Sequence, residues 1–144
     1  TLDPALHNAQ LAAVWTFHNR NPESANYLDK IEFGLPLFDA RHDVPPGYQA
    51  ANTGEYDAAD TFVCTLEGSR LFDVPTGDGG WHAINCDLIP LVKETLAAAQ
   101  AKGLLTDTRL ADLHITSFDV GWEIPGPYAC AVTLKDLSLD ARKL

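Results

Sequence analysis

The sequence contains no methionine among its 144 residues and only three cysteines. Without an initiator residue, the chain is expected to be a trimmed domain or mature form whose targeting segment is not part of it. Cys64, Cys86 and Cys130 are odd in number and show no C-x-x-C spacing. A dense disulfide framework and a cysteine zinc site are therefore excluded, while three buried thiols, or one disulfide with a thiol left over, both stay open. Basic residues are scarce too: ten Lys and Arg stand against twenty Asp and Glu, for a formal net charge of −10. Phosphate-backbone binding needs Lys and Arg to displace counterions, so nucleic acid is not an expected partner, and neutral or cationic molecules are. No apolar run approaches the roughly 20 residues that span a bilayer, which argues against membrane insertion. No two histidines stand at H-x-x-x-H spacing, and neither a G-x-S-x-G elbow nor an EF-hand loop occurs, so zinc hydrolysis and serine nucleophile chemistry have no carrier motif.

What is present is alternation. Hydrophobic residues make up 46% of the chain, and a chain of this length forms one domain, 1–144, burying roughly two thirds of its unfolded surface. Leu11 to His18, Ile31 to Phe38, Thr61 to Leu66, Arg70 to Val74 and Trp81 to Cys86 read as strands, bounded by Asn19-Arg20-Asn21-Pro22, Glu67-Gly68-Ser69 and Thr76-Gly77-Asp78-Gly79-Gly80. Gly34 and Pro36 mark a bulge or an edge in the second of these, because proline cannot donate to a ladder. Asp39 to Asp60 lacks periodicity and is expected to be a long loop, a place where function concentrates. From His114 to Ile124, period-two alternation puts Phe118, Val120, Trp122 and Ile124 on a core face and Ser117, Asp119, Gly121 and Glu123 on a polar one. After Pro125-Gly126-Pro127, Tyr128 to Leu139 alternates again, with a bulge needed near Asp136.

One helix is expected, near 88–102. Asp87 can cap its first turn, Pro90 is tolerated there, Leu88, Leu91, Val92, Leu96 and Ala99 fall at helical spacing, and Gly103 ends it. Helix and strands together predict a mainly β fold, an antiparallel β-sandwich with one covering helix.

The order Trp81-His82-Ala83-Ile84, Asp87-Leu88, Ile115 to Trp122 and finally Lys135-Asp136-Leu137-Ser138-Leu139 resembles the second half of jelly-roll, galactose-binding-like carbohydrate-binding modules of polysaccharide-degrading enzymes. The resemblance covers about the last 60 residues of the chain. It implies a secreted, non-catalytic module that recognises a neutral poly- or oligosaccharide within a larger multidomain enzyme. It also implies a structural calcium ion on the acidic residue of the last strand, Asp136.

Sugar recognition calls for an aromatic plate under a pyranose ring and planar polar groups for its hydroxyls. Trp15, Trp81 and Trp122 are the large plates; strand phase assigns Trp122 to the core, and Trp81 follows a glycine-rich turn where a loop rim is expected. Arg41, Asp43, Tyr48 and Tyr56 gather in the long segment, and with Trp81, Asp119 and Glu123 they form the expected ligand site. The alternative is a small glycan hydrolase or lyase using Asp119, Glu123 or Glu32. Paired carboxylates work about 5 to 9.5 Å apart, whereas Asp119 and Glu123 lie roughly 13 Å apart along one strand. A third reading is a structural or interaction domain whose alternation only builds a core.

Overall fold

Alternation is strictest in β1 (Gln10–Asn19), where Leu11, Ala13, Trp15 and Phe17 are buried and the residues between them half-buried. In the computed structural model, which describes residues 8–54 and 59–141, β1 lies within a five-stranded sheet. Its other strands are β2 (Lys30–Asp39), β3 (Tyr48–Asn52), β4 (Thr61–Thr65) and β5 (Leu113–Glu123), in the order β3-β4-β2-β1-β5. Three neighbouring pairs are antiparallel, but β2 and β4 run parallel. The fold is mainly β with one helix; the sheet is mixed rather than antiparallel, and the described residues form a single sheet, not the two of a sandwich. The mixture follows from the segment expected to be a loop between Asp39 and Asp60. It contains β3, which runs along the outer edge so that β4 enters the sheet between β3 and β2.

Pro36 sits at a bulge, where Leu11 faces Phe38 and Ala12 faces Pro36 across β1 and β2. Its missing amide costs the sheet nothing on the other side, because the β4 ladder ends at Thr65 opposite Gly34. Gly34 is closely packed, since a Cβ there would stand 3.1 Å from Thr65 Oγ1.

The helix α1 (Leu88–Ala101) matches the sequence reading, with Ile89 N donating to the Asp87 carboxylate at 3.0 Å. Val92, Thr95, Leu96 and Ala99 are buried at helical spacing against Ile31, Phe33, Phe62 and Cys64, and form the core with them. Gly103, at φ +85°, lets the chain leave the helix. A buried polar clasp fixes the next segment to the β1–β2 turn: Asn19, fully buried, donates at 2.8 Å to both Ser24 Oγ and Thr108 Oγ1.

Three expected strands are absent from the sheet. Arg70 to Val74 begins in a 3-10 turn, Gly68–Arg70, and both Leu71 N and Phe72 N donate to Gly68 O at 2.9 Å, which coils the chain. Gly68 itself packs so tightly on Pro45 that a Cβ would lie 2.8 Å from Pro45 Cδ. Trp81 to Cys86 and Tyr128 to Leu139 belong to no strand of the sheet. The second of these is broken at Asp136, whose φ of +54° leaves the extended region. Their alternating apolar residues instead flank the sheet face made by β1 and β5.

Candidate functional site

The sheet separates the expected site residues onto two faces. On the open face, the register aligns Asp119, Val14, Gly34, Thr65 and Tyr48 in one row and Ser117, Thr16, Glu32, Val63 and Ala50 in the next. Tyr48 and Asp119 therefore share a face but stand at opposite ends of a row, about 19 Å apart at about 4.8 Å per strand. Glu32 lies two strands and one row from Asp119, roughly 12 Å between Cα atoms by the same spacing. The register thus leaves Asp119, Glu123 and Glu32 apart. Between them runs a ladder of hydroxyls: Ser117 Oγ donates to Thr16 Oγ1 at 2.9 Å, and His18 Nδ1 lies 2.7 Å from Thr116 Oγ1.

Arg41 is committed at the end of β2. Its Nε and Nη2 donate to the two Asp39 carboxylate oxygens at 3.1 and 2.9 Å, and its backbone amide donates to Oδ1 as well. Burial pushes the Asp39 carboxyl up, but these bonds and that from Gln10 prevail and lower it to about 2. Asp43 is exposed in the following turn. Tyr56 lies outside the described residues.

Trp81 lies elsewhere, at the rim of a groove of about 1410 Å³ on the opposite face of the sheet. Leu11, Ala13 and Trp15 of β1 and Phe118, Val120 and Trp122 of β5 floor the groove, and the extended segments around 76–88 and 129–140 flank it. Trp122, expected in the core, is only half-buried, and Phe118 is 37% exposed. The alternation is as read, but β5 is the edge strand and the flanking segments do not close over it. Phe38 meets Trp122 edge-on at 5.7 Å, and Trp15 stacks on Phe118 at 4.7 Å. The Trp15 indole Nε1 is buried and has no hydrogen-bond partner among the described residues.

Trp81 is 71% exposed, and the loop before it is clipped. Asp78 Oδ1 accepts from Gly80 N at 2.7 Å and pairs with His82 Nε2 at 2.8 Å, which together hold the Asp78 carboxyl below its usual range. The His82 ring stands edge-on to Phe72 at 5.8 Å. Sequence reasoning missed this clip, although Asp78-Gly79-Gly80-Trp81-His82 carried its signal: an acid and an imidazole four apart around a glycine turn. It also missed Phe38 and Phe72, since nothing local shows that they border the groove.

Asp136 borders the groove with the Lys135 ammonium 3.7 Å from its carboxylate. No group of three or more His, Cys, Asp or Glu gathers among the described residues. The three cysteines are free thiols: Cys64 in the core, Cys86 and Cys130 beside the groove. Among the described residues, no helix is long and apolar enough to cross a membrane.

No protein-family model matches the chain, and comparison with curated proteins and with solved structures gave no match.

Proposed function

We propose that the protein is a non-catalytic carbohydrate-binding module and that its site is the aromatic groove. The observation that carries this reading is Trp81, a large plate 71% exposed at the mouth of a groove floored by Trp15, Phe118 and Trp122. A pyranose ring offers an apolar face of C–H groups to such plates and a rim of hydroxyls to nearby polar groups. The groove has those at its sides, in His82, Asn85, Thr133, Asp136 and Ser138. The charge of −10 favours a neutral glycan over an anionic one. The jelly-roll reading belongs to the same proposal: the segments Trp81 to Cys86 and Tyr128 to Leu139 are the second layer of a sandwich opened on its inner side to admit a ligand. So does secretion alongside a polysaccharide-degrading enzyme.

A glycan array, followed by an assay for reducing-sugar release on each hit, tests the proposal. A module binds without cleaving. Release of sugar would favour a hydrolase or lyase, and no binding to any glycan would leave a structural or interaction domain.

A further inference from the structure

Trp15 poses a specific chemical demand. Its side chain is 94% buried, being 6% exposed, it borders the groove, and its Nε1–H meets no acceptor among the described residues. Buried polar groups are hydrogen-bonded in the great majority of cases, and an orphan costs the folded state its full desolvation penalty. An indole N–H is a donor only, so whatever satisfies it is an acceptor.

The surroundings narrow the acceptor further. Leu11, Ala13, Leu35, Phe118 and Val120 share the floor with Trp15 and offer no side-chain acceptor. The carbonyls of β1, which pairs with β2 on one side and β5 on the other, are engaged in the ladders. A sugar hydroxyl accepting from Trp15 would leave its own proton unpaired in apolar surroundings. A carboxylate would lose its hydration with no cation to replace it, in a chain of net charge −10. An amide carbonyl has acceptor sites alone, the N–H of a trans acetamide points away from it, and the methyl group is itself suited to an aliphatic and aromatic floor.

We infer that the groove takes an N-acetylated amino sugar, the acetamido carbonyl accepting from Trp15 Nε1–H and its methyl packing against the floor beside Phe118. This rests on the sugar-binding reading of the groove and adds the class of sugar. Entry requires the cover over the indole to give way, and Phe118 is placed to do so: it stacks on Trp15 at 4.7 Å, yet is 37% exposed on an edge strand.

The test compares chitotetraose with cellotetraose, which differ at each ring in an acetamide for a hydroxyl, by calorimetric titration of the whole chain. Chitotetraose should bind tighter on the order of tenfold, the range of one relieved buried donor. In Trp15→Phe, which keeps a ring for Phe118 and removes the donor, that preference should fall to about twofold or less. Should Trp15→Phe not fold, the indole N–H resonance of Trp15 in the wild type gives the answer, with Trp81→Phe and Trp122→Phe assigning the other two. It should move downfield with chitotetraose and stay in place with cellotetraose. Equal affinities for the two oligomers, or an unmoved Trp15 resonance on chitotetraose binding, overturn the inference and leave the groove a sugar site. Absence of binding by either oligomer and by every glycan of the array overturns both.

Discussion

Trp15 and Phe118 are direct partners across β1 and β5, and their rings stack with centroids 4.7 Å apart at an angle of 32°. One belongs to a central strand and is buried; the other belongs to an edge strand and is more than a third exposed. That difference defines the molecule's two halves. Where α1 covers β2 and β4 the face is closed core, and where extended chain alone flanks β1 and β5 it is a groove.

The closed half should carry the stability. Leu96 is 5% exposed within the core cluster, and Leu96→Ala should cost about 2 to 5 kcal/mol, the range for a buried leucine that leaves a cavity. Urea unfolding followed by far-UV circular dichroism measures it, and a loss below about 1 kcal/mol would mean that the helix is loosely seated.

The Asn19 clasp should be nearly as consequential despite being polar. Asn19→Ala removes the donor to Ser24 and Thr108 and leaves both hydroxyls buried with one partner fewer. The expected cost is about 1 to 3 kcal/mol. Amide hydrogen exchange should show faster opening at the β1–β2 turn and around Thr108 together, because one side chain joins them.

Acid should weaken the fold through two carboxylates. Asp39 and Asp112 are both lowered from 3.8 to about 2: for Asp39, burial opposes the shift and bonds from Arg41 and Gln10 overcome it; for Asp112, bonds from the Arg109 side chain and backbone cause it. A carboxyl depressed in the folded state contributes stability that is fully present above its unfolded value and lost as pH falls through the folded one. The melting temperature should therefore drop between about pH 4 and pH 2. In Asp39→Asn it should start lower at neutral pH and fall less steeply over that interval. Parallel curves for variant and wild type would remove Asp39 from the account.

How much of this was legible in the sequence depended on the range of the forces involved. The helix was readable almost to the residue, because Asp87, the apolar spacing and Gly103 act within a few positions of one another. The face assignment of Phe118, Val120 and Trp122 held for the same reason. Their burial did not follow, since it depends on β5 being an edge, which strand order alone decides. Tyr128 to Leu139 shows the opposite case: its alternation is as good as that of a strand, but a ladder needs a free neighbouring edge at the right register, and periodicity carries no such information. The candidate site divided for that reason as well. Trp81 could be placed at a rim from its glycine turn, whereas nothing local placed Tyr48 at one end of a sheet row and Asp119 at the other.

Trp81 and Tyr48 are exposed aromatics on opposite faces, so substituting them separates the two surfaces. Trp81→Ala should weaken glycan binding several-fold to about tenfold, in keeping with the order of 1 kcal/mol that a stacked ring contributes beyond area burial. Its melting temperature should not change, since the side chain is 71% exposed. Tyr48→Ala should leave affinity as it was.

The most direct measurement of the central claim is an amide chemical-shift map of the whole chain titrated with chitotetraose. The account predicts perturbations confined to the groove, at Trp15, Trp81, His82, Phe118 and Trp122 and along the flanking segment near Asp136, with the open-face residues Thr16, Glu32, Val63 and Tyr48 unmoved. Shifts centred on that open face would contradict it and move the site to the other side of the sheet.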